Sequence, residues 1–166
     1  MRGRLALEND DARFGVCDIL WIHERTGAPL VFDNLHHRLH NPDGRPAREA
    51  LAACLRTWPT GVRPKVHFSS PRTEWIVEER GADQLPAVRR PRWVYHSDYV
   101  NPFEFIDFLY SASGADGASA PDFDVMLEAR AKDLALRQLR EDLARYAPDL
   151  AARLEPSVRH PERQPP

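Results

Sequence analysis

RLALENDD, Arg4 to Asp11, decides how this chain is to be read. Two leucines and an alanine make a short apolar run, which ends abruptly in Glu8, Asn9, Asp10 and Asp11. A terminus normally frays or supplies an edge strand. This one drives a strand of buried type straight into a cluster of carboxylates. The acidic end has two readings. Asn9, Asp10 and Asp11 suit a cap on free backbone amides, whereas Glu8, at the last position of the strand, suits a ligand.

Three further segments read the same way: PLVFD (Pro29 to Asp33), KVHFS (Lys65 to Ser69) and DVMLEA (Asp124 to Ala129). Each is an unbroken apolar run of the kind found in a sheet covered on both faces. Helical patterns lie between them. Val16, Ile19, Leu20 and His23 share one face of the first, and Leu51, Cys54, Leu55 and Trp58 share one face of the second. A third, NPFEFIDFLYSAS, carries Pro102 in its first turn, where proline is tolerated. The last runs from Ala131 through Leu136, Leu139, Leu143, Leu150 and Leu154, with a break or kink expected at Pro148. Residues from Ser70 to about Val100, rich in arginine and proline, read as irregular chain. The Gly/Ala/Ser stretch from Ser113 to Ala120 reads as a loop. The proline-rich tail, residues 156–166, is expected to be disordered beyond a single domain of residues 1–155. Alternating strands and helices predict an α/β fold with a parallel sheet.

In such sheets, sites are built at the carboxyl ends of the strands. The first strand ends at Glu8, the second at Asp33 followed by NLHHRLH, and the fourth at Glu128. The third carries Lys65 and His67 on one face, because alternate strand residues point the same way. Carboxylate and imidazole are ligands that hard and borderline divalent metals accept. Several carboxylates in one pocket repel each other unless a cation neutralises them. The spacing from Asp33 to His36 fits a loop that folds two ligands onto one ion, with Asn34 and Leu35 spanning the turn. The plainer alternatives are solvated loop positions for His37 and His40, a surface strand residue for Lys65, and a helix-start acid for Glu128.

Bulk properties bound the function. The chain has 166 residues, 42% hydrophobic and 29% charged, which is ordinary for one folded domain. No apolar run approaches the ~20 residues that span a bilayer, and no secretory signal opens the chain. Cys17 and Cys54 fit buried, reduced thiols of a cytoplasmic protein. A net charge of −2 gives no global attraction to nucleic acid, so any phosphate contact must come from locally concentrated base. Of 23 basic residues only Lys65 and Lys132 are lysines, which marks them as positions where guanidinium does not serve.

LALENDD, PLVFDNLHHRLHNP, TWP…RPKVHFSSPR, YHSDYV and DFDVMLEARAKDLALRQLREDL together resemble the UV-damage endonucleases of the UvsE or UvdE type. The blocks stand in the family's order over most of residues 4–145. The resemblance implies a TIM (β/α) barrel like those of endonuclease IV and the sugar isomerases, of which about four βα units are present. It implies a metal-dependent repair nuclease that nicks double-stranded DNA 5′ of cyclobutane pyrimidine dimers and 6-4 photoproducts. By the same resemblance Glu8, Asp33, His36, His67, Glu128 and His96 would hold divalent metal, with manganese expected and magnesium and zinc as alternatives. Glu8, Lys65 and Glu128 would be catalytic, with Lys65 beside the metals, neutral or chemically modified. Arg72, Arg89, Arg90 and Arg92 would engage phosphates.

The chain departs from the family pattern at Arg130, where a lysine is usual, and before Glu8, where the family carries a further half-barrel. Eight strands close such a barrel and four do not. The expectation is therefore a C-terminal half-barrel, partnered by a missing N-terminal half or by another copy of itself. One rival is a non-catalytic remnant that binds metal or a partner. Another is a sugar isomerase or epimerase, which should lack the HFSSPR and HSDY blocks.

Overall fold

A computed structural model of the chain describes residues 5–81, 84–113 and 122–154. Four strands form one parallel sheet in the order β1 (Leu7–Glu8), β2 (Leu30–Asp33), β3 (Lys65–Phe68) and β6 (Asp124–Leu127). Leu7 pairs with Leu30, Asp33 with His67, and Phe68 with Leu127, so all four strands run the same way and finish at one rim. The crossovers are α1 (Val16–Thr26) after β1 and, after β2, α2 (Asn34–Leu39) with α3 (Ala47–Leu55). A short antiparallel pair, β4 (Ile76–Glu78) and β5 (Ala87–Arg89), precedes α4 (Pro102–Ala112). After β6 come α5 (Asp133–Tyr146) and α6 (Pro148–Leu154).

The helices pack on one side of the sheet. Leu30, Phe32, Val66 and Phe68 point into that layer and are fully buried against Val16, Ile19, Leu51, Cys54, Phe105, Phe108 and Leu139. Phe68 anchors it, with its ring 5.0 Å from Phe105 and 5.2 Å from Phe108. The apolar runs suggested cover on both faces. That holds for β2, but on β3 and β6 alternate residues are open, with Lys65 and Met126 exposed. The reason is curvature: the inner face of a barrel is covered only when the ring of strands is complete.

Local chemistry sets the boundaries. α1 stops at Gly27, whose φ of 69° is the left-handed conformation that glycine adopts without strain. A side chain on Gly15, just before α1, would stand 2.8 Å from Pro42 Cδ, so glycine is required there by close approach. Asn101 caps α4 by accepting from the amides of Phe103 and Glu104, and Pro102 occupies its first turn. Pro148 separates α5 from α6, as expected.

Three expectations need correction. The segment after Asp33 is a helix, α2, rather than a loop. His37 is buried, with Nε2 2.9 Å from Arg45 O and its ring 5.3 Å from that of Phe32, rather than solvated. The stretch 70–100 contains the β4–β5 ribbon rather than irregular chain alone. Cys54 is buried, which pushes its thiol up to about 12, while Cys17 is only partly covered. No helix among the described residues is long and apolar enough to cross a membrane. The expected disordered tail and the loop residues 114–120 lie outside the described residues.

Candidate metal centre

Four side chains meet at the carboxyl rim. One ligand atom each from Glu8, Asp33, His67 and Glu128 lie within 4.8 Å of one another. They come from four neighbouring parallel strands, because Glu128 extends β6 by one residue and its amide donates to Phe68 O at 3.0 Å. Among the described residues no ion pair with lysine or arginine neutralises any of the four.

Each member is held by a specific bond. Asp33 is the N-cap of α2: its Oδ1 accepts from His36 N–H at 2.7 Å. Its second oxygen, Oδ2, is buried and has no hydrogen-bond partner. Asn9, fully buried, clamps the same residue from β1. Its Oδ1 accepts from Asp33 N–H at 2.9 Å and its Nδ2 donates to Asp33 O at 3.1 Å. His67 Nδ1 stands 3.2 Å from Glu8 Oε1 and 3.2 Å from Glu128 Oε1. It is aligned with neither for a hydrogen bond and is itself unpartnered.

His36 flanks the four rather than joining them. Its Nδ1 lies 2.9 Å from Asn9 O, 3.2 Å from Glu8 Oε1 and 3.8 Å from Asp33 Oδ1. His96 stands at the rim with Nε2 3.7 Å from Glu128 Oε2. Lys65, at the amino end of β3, bonds Asp124 Oδ2 at 3.0 Å and is exposed, which places its ammonium on that pair rather than among the carboxylates. Arg72 pairs with Glu74 and Arg89 with Glu78, whereas Arg90 and Arg92 are exposed without an ion-pair partner among the described residues.

Asn9, read from sequence as a cap on free amides, instead bridges to the backbone of the neighbouring strand. Its signal is position: it directly follows a strand-end acid, where a parallel neighbour presents backbone groups. Asp10 does what a cap does, accepting from the amides of Ala12 and Phe14, but in a tight turn rather than on a helix.

The electrostatics show a site that needs positive charge. Burial opposes the charge of Glu8, but contacts with His36 and His67 outweigh it and hold the carboxyl down at about 2. The Glu8 carboxylate, overcoming burial, pushes His36 up to about 9, and it raises His67 as well. Asp33 is pushed up to about 6, chiefly by burial, with Glu8 and Glu128 adding to the effect. The Glu8–His36 contact therefore favours an imidazolium beside the carboxylates. Two orphaned buried atoms, Asp33 Oδ2 and His67 Nδ1, sit among oxygen and nitrogen donors of the kind a divalent cation takes. The residues fit a metal.

A parallel βα sheet with this rim defines an α/β protein of the TIM-barrel type. The family described as UV-endonuclease UvdE matches residues 1–152. The chain belongs to that family. It is 38% identical over 145 residues to a UV DNA damage endonuclease of Halalkalibacterium halodurans, covering 86% of this chain and 38% of that protein. It is 34% identical over 146 residues to a UV DNA damage endonuclease of Bacillus cereus (strain B4264), covering 87% and 39%. A solved structure described as "Crystal Structure of SacUVDE" matches with a TM-score of 0.60 and 32% identity, over 86% of this chain and 40% of that one. The chain thus spans about two fifths of the length of the curated relatives it matches.

Proposed function

We propose that the chain carries one metal-holding half of an endonuclease that nicks DNA 5′ of UV photoproducts. The observation that carries this reading is the convergence of Glu8, Asp33, His67 and Glu128 at one strand-end rim. Divalent cations held there, with manganese the first choice, would polarise a phosphodiester and make water a competent nucleophile near neutral pH. The chain's own residues fix the geometry. Asp33 keeps one oxygen on the α2 amide and offers the other, Glu8 and Glu128 flank His67, and His36 and His96 stand as further ligands at the edge. Arg90 and Arg92 are free to meet phosphate, and Lys65 is assigned a role at the site by family likeness.

A second reading, a half-barrel that holds metal without cutting, is favoured by one observation. Among the described residues β1 and β6 are both sheet edges with no outer neighbour. A closed barrel needs further strands, supplied by more of the same polypeptide or by a second chain. UV-irradiated and unirradiated plasmid, each incubated with the protein and Mn2+, separate the readings. Nicks confined to irradiated plasmid and abolished by Glu128→Gln support the nuclease. Equal nicking of both plasmids, or nicking that survives the substitution, sinks it.

A further inference from the structure

Between β3 and α4 the polypeptide leaves the sheet beside the metal cluster and returns to it. Its two legs are zipped at the base. Ser97 N–H donates to Ser70 O at 2.9 Å, Arg72 N–H donates to Tyr95 O at 2.6 Å, and Pro71 and His96 form an antiparallel bridge. His96, inside that base, is the residue 3.7 Å from Glu128. Beyond the base the legs form the β4–β5 ribbon, with Ile76 opposite Arg89, Val77 opposite Val88 and Glu78 opposite Ala87.

The two faces of the ribbon differ. Alternation puts Ile76, Glu78, Ala87 and Arg89 on one side, where Arg89 is tied to Glu78 and the two apolar residues are partly covered. The other side carries Val77 and Val88, and the register continued one residue sets Trp75 opposite Arg90. On that side Trp75 is 61%, Val77 60% and Val88 58% exposed. Glu79, beyond the ladder, is an exposed acid among the described residues. An isolated two-stranded ribbon is marginal in water, and an uncovered tryptophan–valine face marks a contact surface.

We infer that this ribbon is a DNA-gripping arm, its Trp75–Val77–Val88–Arg90 face lying on the nucleic acid whose phosphodiester reaches Glu128; the inference rests on the nuclease reading above. The arm is rooted in the rim through His96, so a strand entering the cluster passes beside it. A two-stranded ribbon has the width that a DNA groove admits. Arg90 and Arg92 supply the charge that complements phosphate, and Trp75 supplies a ring on which an unstacked base can lie.

The test is fluorescence anisotropy of the full chain with Mn2+ and a fluorescein-labelled duplex carrying one cyclobutane pyrimidine dimer, over a salt series. Trp75→Ala should weaken binding about tenfold or more. Arg90→Ser with Arg92→Ser should lower the salt slope by about 2. All three residues are exposed, so both variants should keep the wild-type circular dichroism, melting temperature and Mn2+ affinity. Variants that hold the duplex as tightly as wild type would overturn the arm, as would a wild-type chain that ignores the duplex even at low salt. So would sedimentation showing a dimer that Val77→Thr with Val88→Thr dissolves while duplex affinity stays unchanged. The nuclease reading fails differently, through a wild-type chain that binds no Mn2+. Duplex binding lost on Trp75→Ala in such a chain would leave the arm standing alone.

Discussion

Asn9 grips both backbone groups of Asp33, accepting from its amide and donating to its carbonyl, so the ends of β1 and β2 are locked at the point where the carboxylates converge. The same Asn9 offers its own carbonyl to His36. Asn9→Ala would leave a buried amide and carbonyl of Asp33 unpaired, each costing about 1–3 kcal/mol. The expected result is a destabilisation of roughly 2–4 kcal/mol in urea unfolding and weaker Mn2+ binding by calorimetry. Full stability in the variant would show that water replaces the amide.

Asp33→Asn separates capping from charge. Asparagine caps a helix as well as aspartate does, and it removes a buried carboxylate that burial has pushed up to about 6. Without metal and above neutral pH, the variant should match or exceed wild-type stability by about 1 kcal/mol. It should also lose the rise in melting temperature that Mn2+ gives the wild type. Thermal scans in chelator and in Mn2+ read both effects, and an unaltered Mn2+ response would remove Asp33 from the ligand set.

Stability of the metal-free chain should fall as pH rises from about 6 to about 9. Asp33 binds its proton more tightly folded than unfolded, and that contribution, whole below 3.8, is largely spent by about 6, where the decline begins. The Glu8–His36 contact raises the imidazole from 6.5 to about 9, so its contribution is complete below 6.5 and gone above about 9. On the acid side Glu8 contributes above 4.5 and fails as pH falls through about 2. Metal ligands must be deprotonated, so the Mn2+-induced shift in melting temperature should grow across the interval where the metal-free chain weakens. A shift of constant size from pH 6 to 9 would contradict this.

Phe68→Ala tests the layer beneath the site. The ring is fully buried between Phe105 and Phe108, and its removal should cost about 3–5 kcal/mol. Because Glu128 N–H bonds Phe68 O, the backbone link to the rim survives. Mn2+ affinity of whatever fraction stays folded should therefore change little. A collapse of affinity without unfolding would show that side-chain packing, not the backbone, positions Glu128.

The strands were legible because each is a compact apolar run with a charged or imidazole residue at or next to its end, and the parallel register then follows from the crossover helices. Glu8, Asp33, His67 and Glu128 were legible as a group only jointly, through their common place at strand ends. α2 was not, because NLHHRL has two leucines and no clear apolar stripe; the cap from Asp33 starts it. The β4–β5 ribbon escaped for a related reason. Its three-residue ladder exposes Val77 and Val88, so no inward-facing alternation marks it. The buried role of Asn9 and His37 depends on partners 24 and 8 residues away, which local pattern does not reveal.

The double duty of Asp33 limits how this protein can be improved. Engineers routinely stabilise proteins by exchanging the residue that starts a helix for a better one, and serine or threonine would be an ordinary choice. At this position that exchange would remove an unpartnered buried oxygen from the carboxylate–imidazole cluster. Stabilising substitutions are better sought at the starts of α1 and α3, where Gly15 and Pro46 leave the first turn without a side-chain cap. Gly15 has no room for a side chain, which leaves Pro46 as the place to begin.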